Sequence, residues 1–303
     1  MKRNQLGSSS LYVSEIGFGT MSLSDDQGQN ERILQEAFNQ GVNFFDTADL
    51  YQFGMNEKSV GKALGAYRDK IILASKGGND WHNQDGGWIW NPKKSYLKEA
   101  VKASLKRLNT DYLDLYQLHG GTTDDPFDEV VEAFQEMKQD GLIRAWGISS
   151  IRPNVIRRFV ENTDIDSVMM QYSLLDRRPE EWMNLFKKHQ ISIISRGPIA
   201  KGLLADSWRK RDLSNGYLDY NESELNDVLP RIEEEAGKLN MPMQQLALRY
   251  VIDQPEVATA IPGASSLEQV HENCAASEKE PLSSKPIGAL RLMTKEGYYD
   301  KHR

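Results

Sequence analysis

Cysteine is nearly absent from this chain: Cys274 stands alone, which excludes an intramolecular disulfide and leads us to expect a reducing compartment. Histidine is sparse as well. The five histidines lie far apart, which argues against a local metal motif, and His82 has no partner at ligand spacing. No run approaches the roughly 18 apolar residues of a membrane span, and residues 1–10 (M-K-R-N-Q-L-G-S-S-S) lack the apolar segment of a signal peptide. A cytoplasmic protein with no membrane partner is the expectation. Long basic runs are missing too, and a formal net charge of -7 leaves no footprint for general nucleic-acid binding, although an anionic cofactor needs only a local basic patch. No G-x-G-x-x-G follows a strand-like segment, and the glycines of I-G-F-G-T at 16–20 lack that spacing.

With 303 residues, 39% of them hydrophobic, the chain can bury a full core as one barrel or as two smaller domains. Its rhythm favours the barrel. After a hairpin-like start around Gly7 to Ser10, short apolar runs fall at 16–20, 43–46, 71–75, 112–118, 144–148, 167–170, 191–195 and 257–261. Helical patterning follows each of them, at 31–40, 57–64, 92–108, 126–139, 153–160, 179–188, 225–239 with 243–252, and from 267. Asn91 and Asp125 read as caps of the third and fourth helices, and Gly41 and Gly141 as stops. Strands that are apolar on both faces and alternate with helices imply an all-parallel sheet under a helical cover. Eight such units fit an α/β (β/α)8 TIM barrel over residues 1–303, with an N-terminal hairpin and extra loops at the C-terminal mouth. The long loop at 205–221 is polar and turn-rich, and the tail from Ala275 has low periodicity, so it either pads the outside or folds over the mouth.

In such a barrel the chemistry sits at the C-terminal ends of the strands. Asp46 ends the second strand with Tyr51 in the loop beyond, Lys76 ends the third and His119 the fourth. Singly, each has an ordinary explanation as a turn cap or a solvated strand end. Together they form a chemical set. A phenol is a weak acid at neutral pH, a nearby ammonium favours its phenolate, and a carboxylate keeps a partly buried lysine charged. A histidine opposite can hydrogen-bond the oxygen being protonated. The set suits protonation of a carbonyl oxygen while hydride reaches the carbon.

These residues stand in an ordered series of short motifs: G-F-G-T at 17–20, D-T-A-D-L-Y at 46–51, Lys76, Leu118 with His119, G-I-S-S at 147–150, and I-P-G-A-S at 261–265 followed by Glu272 and Asn273. Over essentially its whole length the chain resembles the aldo-keto reductase superfamily. That resemblance implies NADPH-dependent, or less often NADH-dependent, reduction of aldehydes and ketones. Tyr51 would be the general acid, Lys76 and Asp46 would lower its pKa, and His119 would orient the carbonyl. It also implies a nicotinamide site at Ser149, Ser150 and Gln171, with Gly19, Thr20 and Met21 on the facing loop. The pyrophosphate would meet Gly197, Pro198, Ile199, Lys201 and Gly202. Gly263, Ser265, Gln269, Glu272 and Asn273 would take the adenosine end.

Three departures from the family pattern stand out. Arg196 replaces the aromatic ring that often stacks on the nicotinamide, and beside a ring that becomes cationic on oxidation it would favour the reduced form. Gly263 and Gln269 stand where basic residues commonly clamp the 2'-phosphate, so Arg209, Lys210 and Arg211 either supply that charge or form a solvated face. Gly120 and Gly121 after His119 leave the substrate side roomier. Trp88 and Trp90, in a loop of three tryptophans, either line the substrate pocket or cover the barrel edge. A monomer or weak homo-oligomer acting on a small carbonyl compound is expected. The rivals are a cofactor-binding, redox-sensing regulatory subunit with little turnover, and a metal-dependent barrel hydrolase, which lacks paired histidines at a strand end.

Overall fold

The computed structural model describes residues 1–81 and 87–303; His82 lies outside the described residues. Hairpin strands β1 (Arg3–Gln5) and β2 (Tyr12–Ser14) precede β3 (Phe18–Gly19), α1 (Gln27–Asn39), β4 (Phe44–Asp46), α2 (Met55–Leu64) and β5 (Ile72–Gly77). A short hairpin, β6 (Asn79–Asp80) and β7 (Ile89–Trp90), leads to α3 (Lys94–Leu108), β8 (Leu113–Leu118), α4 (Phe127–Gln139), β9 (Ile143–Ser149) and α5 (Pro153–Asn162). The chain continues through β10 (Ser167–Gln171), α6 (Met183–His189), β11 (Ser192–Arg196), α7 (Glu222–Lys238), α8 (Met243–Ile252), β12 (Val257–Ile261), α9 (Leu267–Ala275) and α10 (Ser284–Met293).

Eight strands form one parallel sheet in the order β12, β11, β10, β9, β8, β5, β4, β3. The two ends meet: Ile16 bridges Ala260 in parallel, the Gly17 N–H donates to the Ala260 carbonyl at 2.8 Å, and Gly19 N–H donates to that of Pro262 at 3.2 Å. Glycine at position 17 is demanded by this closure, since a Cβ there would lie 2.9 Å from Phe44 Cδ1 and from Thr259 Oγ1. The fold is the expected (β/α)8 barrel.

Two apolar clusters divide the core. The inner one holds Phe44, Ile72, Ala74, Leu115, Ala145, Met169 and Ile194, and the hairpin adds Leu6, Leu11 and Val13 as a plug. The larger outer cluster, which includes Phe45, Leu73, Tyr116 and Ile193, packs under the helices. Strand side chains alternate between these faces with period two. Continuing the inner series by two residues on each strand reaches Asp46 after Phe44, Lys76 after Ala74, Gln117 after Leu115, Gln171 after Met169 and Arg196 after Ile194. Apolar filling therefore gives way to polar chemistry at the mouth.

Helix starts follow local capping where a cap is free to act. Asp26 accepts from Gln29 N–H at α1, Asn221 and Glu224 form a reciprocal capping box at α7, and Ser266 accepts from Gln269 N–H at α9. Asn91 and Asp125 are not caps. Asn91 N–H pairs with the Gly78 carbonyl and its amide donates to Asp80, because the β6–β7 hairpin has taken that stretch and α3 starts later. The Asp125 carboxylate accepts from Thr122 N–H and Oγ1 and from Trp90 Nε1, which ties the loop after His119 to the tryptophan hairpin. α10 packs on α7 outside the barrel, and the tail is tied to the loops beyond β10 and β11: Arg177 donates to the Arg291 and Thr294 carbonyls, and Lys295 donates to the carbonyl of Asp219 in the 205–221 loop.

Candidate active site

Lys76 is fully buried, and its three ammonium hydrogens have three acceptors: Asp46 Oδ2 at 2.6 Å, the Thr47 carbonyl at 2.7 Å and Tyr51 Oη at 3.2 Å. Burial alone would pull the lysine pKa down, but the Asp46 carboxylate, helped by Tyr51, holds it above its ordinary value. Burial pushes Asp46 up, and Lys76 opposes this, with Gln117 Nε2 holding the other carboxylate oxygen at 3.4 Å. At 2.6 Å, with further hydrogen bonds on each partner, the pair stays ionic. Tyr51 accepts from Lys76, so its own O–H is left to donate into the cavity.

The phenol is placed by an unusual turn. Immediately after Tyr51, Gln52, Phe53 and Gly54 all have positive φ (49°, 49° and 83°), a left-handed run that is costly for the two residues with a Cβ. Glycine is required at position 54, where a Cβ would lie 2.7 Å from Arg107 Cδ. Arg107 reaches under this turn from α3 and pairs with fully buried Glu57 at 2.5 Å, and Ser75 Oγ donates to the other Glu57 oxygen at 2.6 Å.

His119 stands edge-on to Tyr51, with ring centroids 6.0 Å apart and an interplanar angle of 82°. Its backbone is pinned by a bond from its N–H to the Gly77 carbonyl, and Asn79 Nδ2 donates to its carbonyl. Burial, with the Lys76 and Arg196 charges, pushes its pKa from 6.5 down to about 3, so the ring is neutral near pH 7. Its Nδ1 is buried with no partner among the described residues.

Asp46, Tyr51 and His119 open into a cavity of about 1000 Å³, at the upper end of what small-molecule sites occupy. Ser149, Ser150 and Gln171 line it, as do Gly19, Met21, Arg196, Gly197, Pro198, Ile199, Lys201 and Gly202. Gly263, Ser265, Gln269, Glu272 and Asn273 line it too. Trp88 and Trp90 line it as well, and Trp90 packs so closely over Gly78 that a Cβ there would meet its ring at 2.7 Å. Thr20 is the exception: its fully buried hydroxyl lies within hydrogen-bond distance of the Asp46 carbonyl and of Asn56 Oδ1, one of which takes its single hydrogen, so it braces the strand end behind Asp46 and does not line the cavity.

The basic run divides. Arg209 is committed to Glu233 through two 2.6 Å bonds, and Lys210 is exposed and does not line the cavity. Arg211 does line it, packed where a Cβ on Gly202 would lie 2.6 Å from its guanidinium. A cavity of this size, lined by side-chain amides and by Lys201 and Arg211, fits a dinucleotide with an anionic bridge. Among the described residues no cluster of three or more His, Cys, Asp or Glu side chains could hold a metal ion, and no helix is long and apolar enough to cross a membrane.

Sequence reasoning missed Gln117, whose signal was its place two residues before His119 on the inward face. It also missed Asn79 and Tyr217. Tyr217 Oη accepts from Gln171 Nε2 at 3.0 Å and comes from the long polar loop, where nothing local marks it as buried.

Comparison with known proteins agrees with this geometry. The profile of the Aldo/keto reductase family matches residues 15–293, and the chain belongs to that family. It is an oxidoreductase of the type that carries out NAD(P)H-dependent carbonyl reduction. Among individual proteins, it is 50% identical over 307 residues to "Uncharacterized oxidoreductase YqkF" of Bacillus subtilis (strain 168), covering 100% of both chains. The holo form of aldo-keto reductase AKR11C1 from Bacillus halodurans superposes with a TM-score of 0.94 at 50% identity, covering 100% of this chain and 99% of that one. An NADH-specific methylglyoxal reductase of Escherichia coli (strain K12) is 28% identical over 304 residues, covering 91% of this chain and 93% of the relative.

Proposed function

We propose that this protein reduces small aldehydes or ketones to alcohols, with NADPH as preferred cofactor and NADH as a possible second, and with Tyr51 as the proton donor. The observation that carries the reading is the exhaustion of Lys76: all three of its hydrogens are spent on Asp46, Thr47 and Tyr51, which leaves the phenol hydrogen free to leave toward the cavity. When bound, the reduced nicotinamide supplies a hydride to the carbonyl carbon, and the carbonyl oxygen takes a proton, giving the alcohol.

The chain's own residues do the rest. His119, neutral at working pH, donates a hydrogen bond to the carbonyl oxygen and fixes its place beside Tyr51. Tyr51 gives its proton to that oxygen, and the Lys76 ammonium stabilises the phenolate left behind. Asp46 keeps Lys76 charged and in place. Ser149, Ser150 and Gln171 would hold the carboxamide; each amide atom of Gln171 has capacity beyond its bonds to Arg196 and Tyr217. Lys201 and Arg211 would meet the phosphates, and Glu272 and Asn273 the adenine. Arg211 has no carboxylate partner among the described residues, which supports the preference for the additional phosphate of NADPH. Trp88 and Trp90 would cover the substrate.

Tyr51→Phe tests this directly. The variant should bind NADPH as the parent does, and more tightly than NADH, while carbonyl reduction falls by about 10²–10⁴-fold, the usual weight of a general acid. Turnover at the parent rate would sink the assignment.

A further inference from the structure

Arg196 stands at the end of β11, directly across the sheet register from Gln171, and donates from Nη1 to Gln171 Oε1 at 3.3 Å. It is half-buried at the cavity wall, and its charge is felt at both His119 and Asp46, the two sides of the reaction centre. Lys76, Asp46 and His119 together add no net charge. Lys76 is neutralised by Asp46, and His119 is uncharged. The nearby carboxylate of Asp176 is taken by Arg178 through two 2.7 Å bonds, and among the described residues no carboxylate forms an ion pair with Arg196. Arginines without an ion pair among the described residues therefore line the cavity, among them Arg196 beside Gln171 and Arg152, which donates to the Gly121 carbonyl, and the field there is positive.

We infer that Arg196 discriminates between the oxidation states of the cofactor, admitting the reduced form and expelling the oxidised one. This rests on the cofactor reading above. Reduced nicotinamide is neutral, and loss of a hydride leaves a pyridinium with one positive charge. The reacting ring must lie near Tyr51 and His119, within the field of Arg196. Two unit charges several ångströms apart at the effective dielectric of a protein repel enough to alter binding by a factor on the order of ten to a hundred. The adenosine, the pyrophosphate and any 2'-phosphate are the same in both forms, so the ratio of the two dissociation constants isolates the ring end. The consequence for function is directional: NADPH loads against a background of NADP+, product cofactor leaves readily, and alcohol oxidation is handicapped by weak NADP+ binding.

The test is equilibrium binding of NADPH and NADP+, without substrate, to the parent, Arg196→Lys and Arg196→Gln. The parent should bind NADPH at least about tenfold more tightly than NADP+, Arg196→Lys should keep most of that ratio, and Arg196→Gln should reduce it by about tenfold. If both substitutions weaken the two forms equally and leave the ratio unchanged, Arg196 only positions Gln171 and the inference is overturned. If the parent binds neither form, the cofactor reading itself falls. The two failures are thus distinct.

Discussion

A lysine with three donors and three fixed acceptors has no freedom to exchange partners, and this makes Lys76 an organiser of the site. Its neighbour across the cavity behaves differently. His119 is held neutral by burial and by two nearby cations, with a folded pKa near 3 against an ordinary 6.5. The unfolded chain therefore binds a proton at this position between those values when the folded chain does not, and the stability present above pH 6.5 is lost as pH falls toward 3. The slope from one such group is at most about 1.4 kcal/mol per pH unit. Urea unfolding at several pH values between 6.5 and 4 should show a shallower loss of stability for His119→Gln than for the parent. Parallel slopes would mean that solvent in the cavity screens His119 and that its pKa is ordinary.

At the scale of elements, the turn after Tyr51 is a strained piece set on a buried ion pair. Glu57 is fully buried with Ser75 and Arg107 as partners, and Arg107 also fills the space beneath Gly54. Removing one member of a buried pair strands the other charge, at a cost of about 3–5 kcal/mol. Arg107→Met should lower the denaturation midpoint accordingly and reduce kcat, because the left-handed run at Gln52 and Phe53 loses its support. Pairing it with Glu57→Gln should recover part of the stability. A double variant no better than the single one would show that the loss comes from packing and not from the stranded carboxylate. Element existence was legible from periodicity, and β12 starts and ends where its apolar run does. Element starts were less so. Asn91 and Asp125 have the residue types of caps, yet each found partners in other segments, and local composition carries no record of such partners.

For the whole molecule, the barrel separates stability from chemistry along its axis. Leu6, Leu11 and Val13 plug the floor, with Leu6 fully buried against the inner cluster, while Asp46, Tyr51, Lys76 and His119 stand at the opposite end. Leu6→Ala should cost about 2–5 kcal/mol of unfolding free energy. NADPH affinity and KM should stay near parent values. A large rise in KM at unchanged fold would show that the floor and the mouth are coupled through the strands.

What the chain determined by itself was the repeating unit and the strand-end positions of the candidate residues. Period-two and helical patterning are local consequences of backbone geometry, and Asp46, Lys76 and His119 lie at strand ends whatever the tertiary arrangement. Tertiary structure alone decided the rest. It spent the hydrogens of Lys76, set Thr20 behind Asp46, assigned Arg209 to Glu233 and Arg211 to the cavity, and brought Tyr217 from a polar loop onto Gln171. It also left Arg196 without an ion pair among the described residues. Each of these depends on which distant groups share a few ångströms, and hydrogen bonds and ion pairs at that range are settled by packing, not by the identity of the residues next in line.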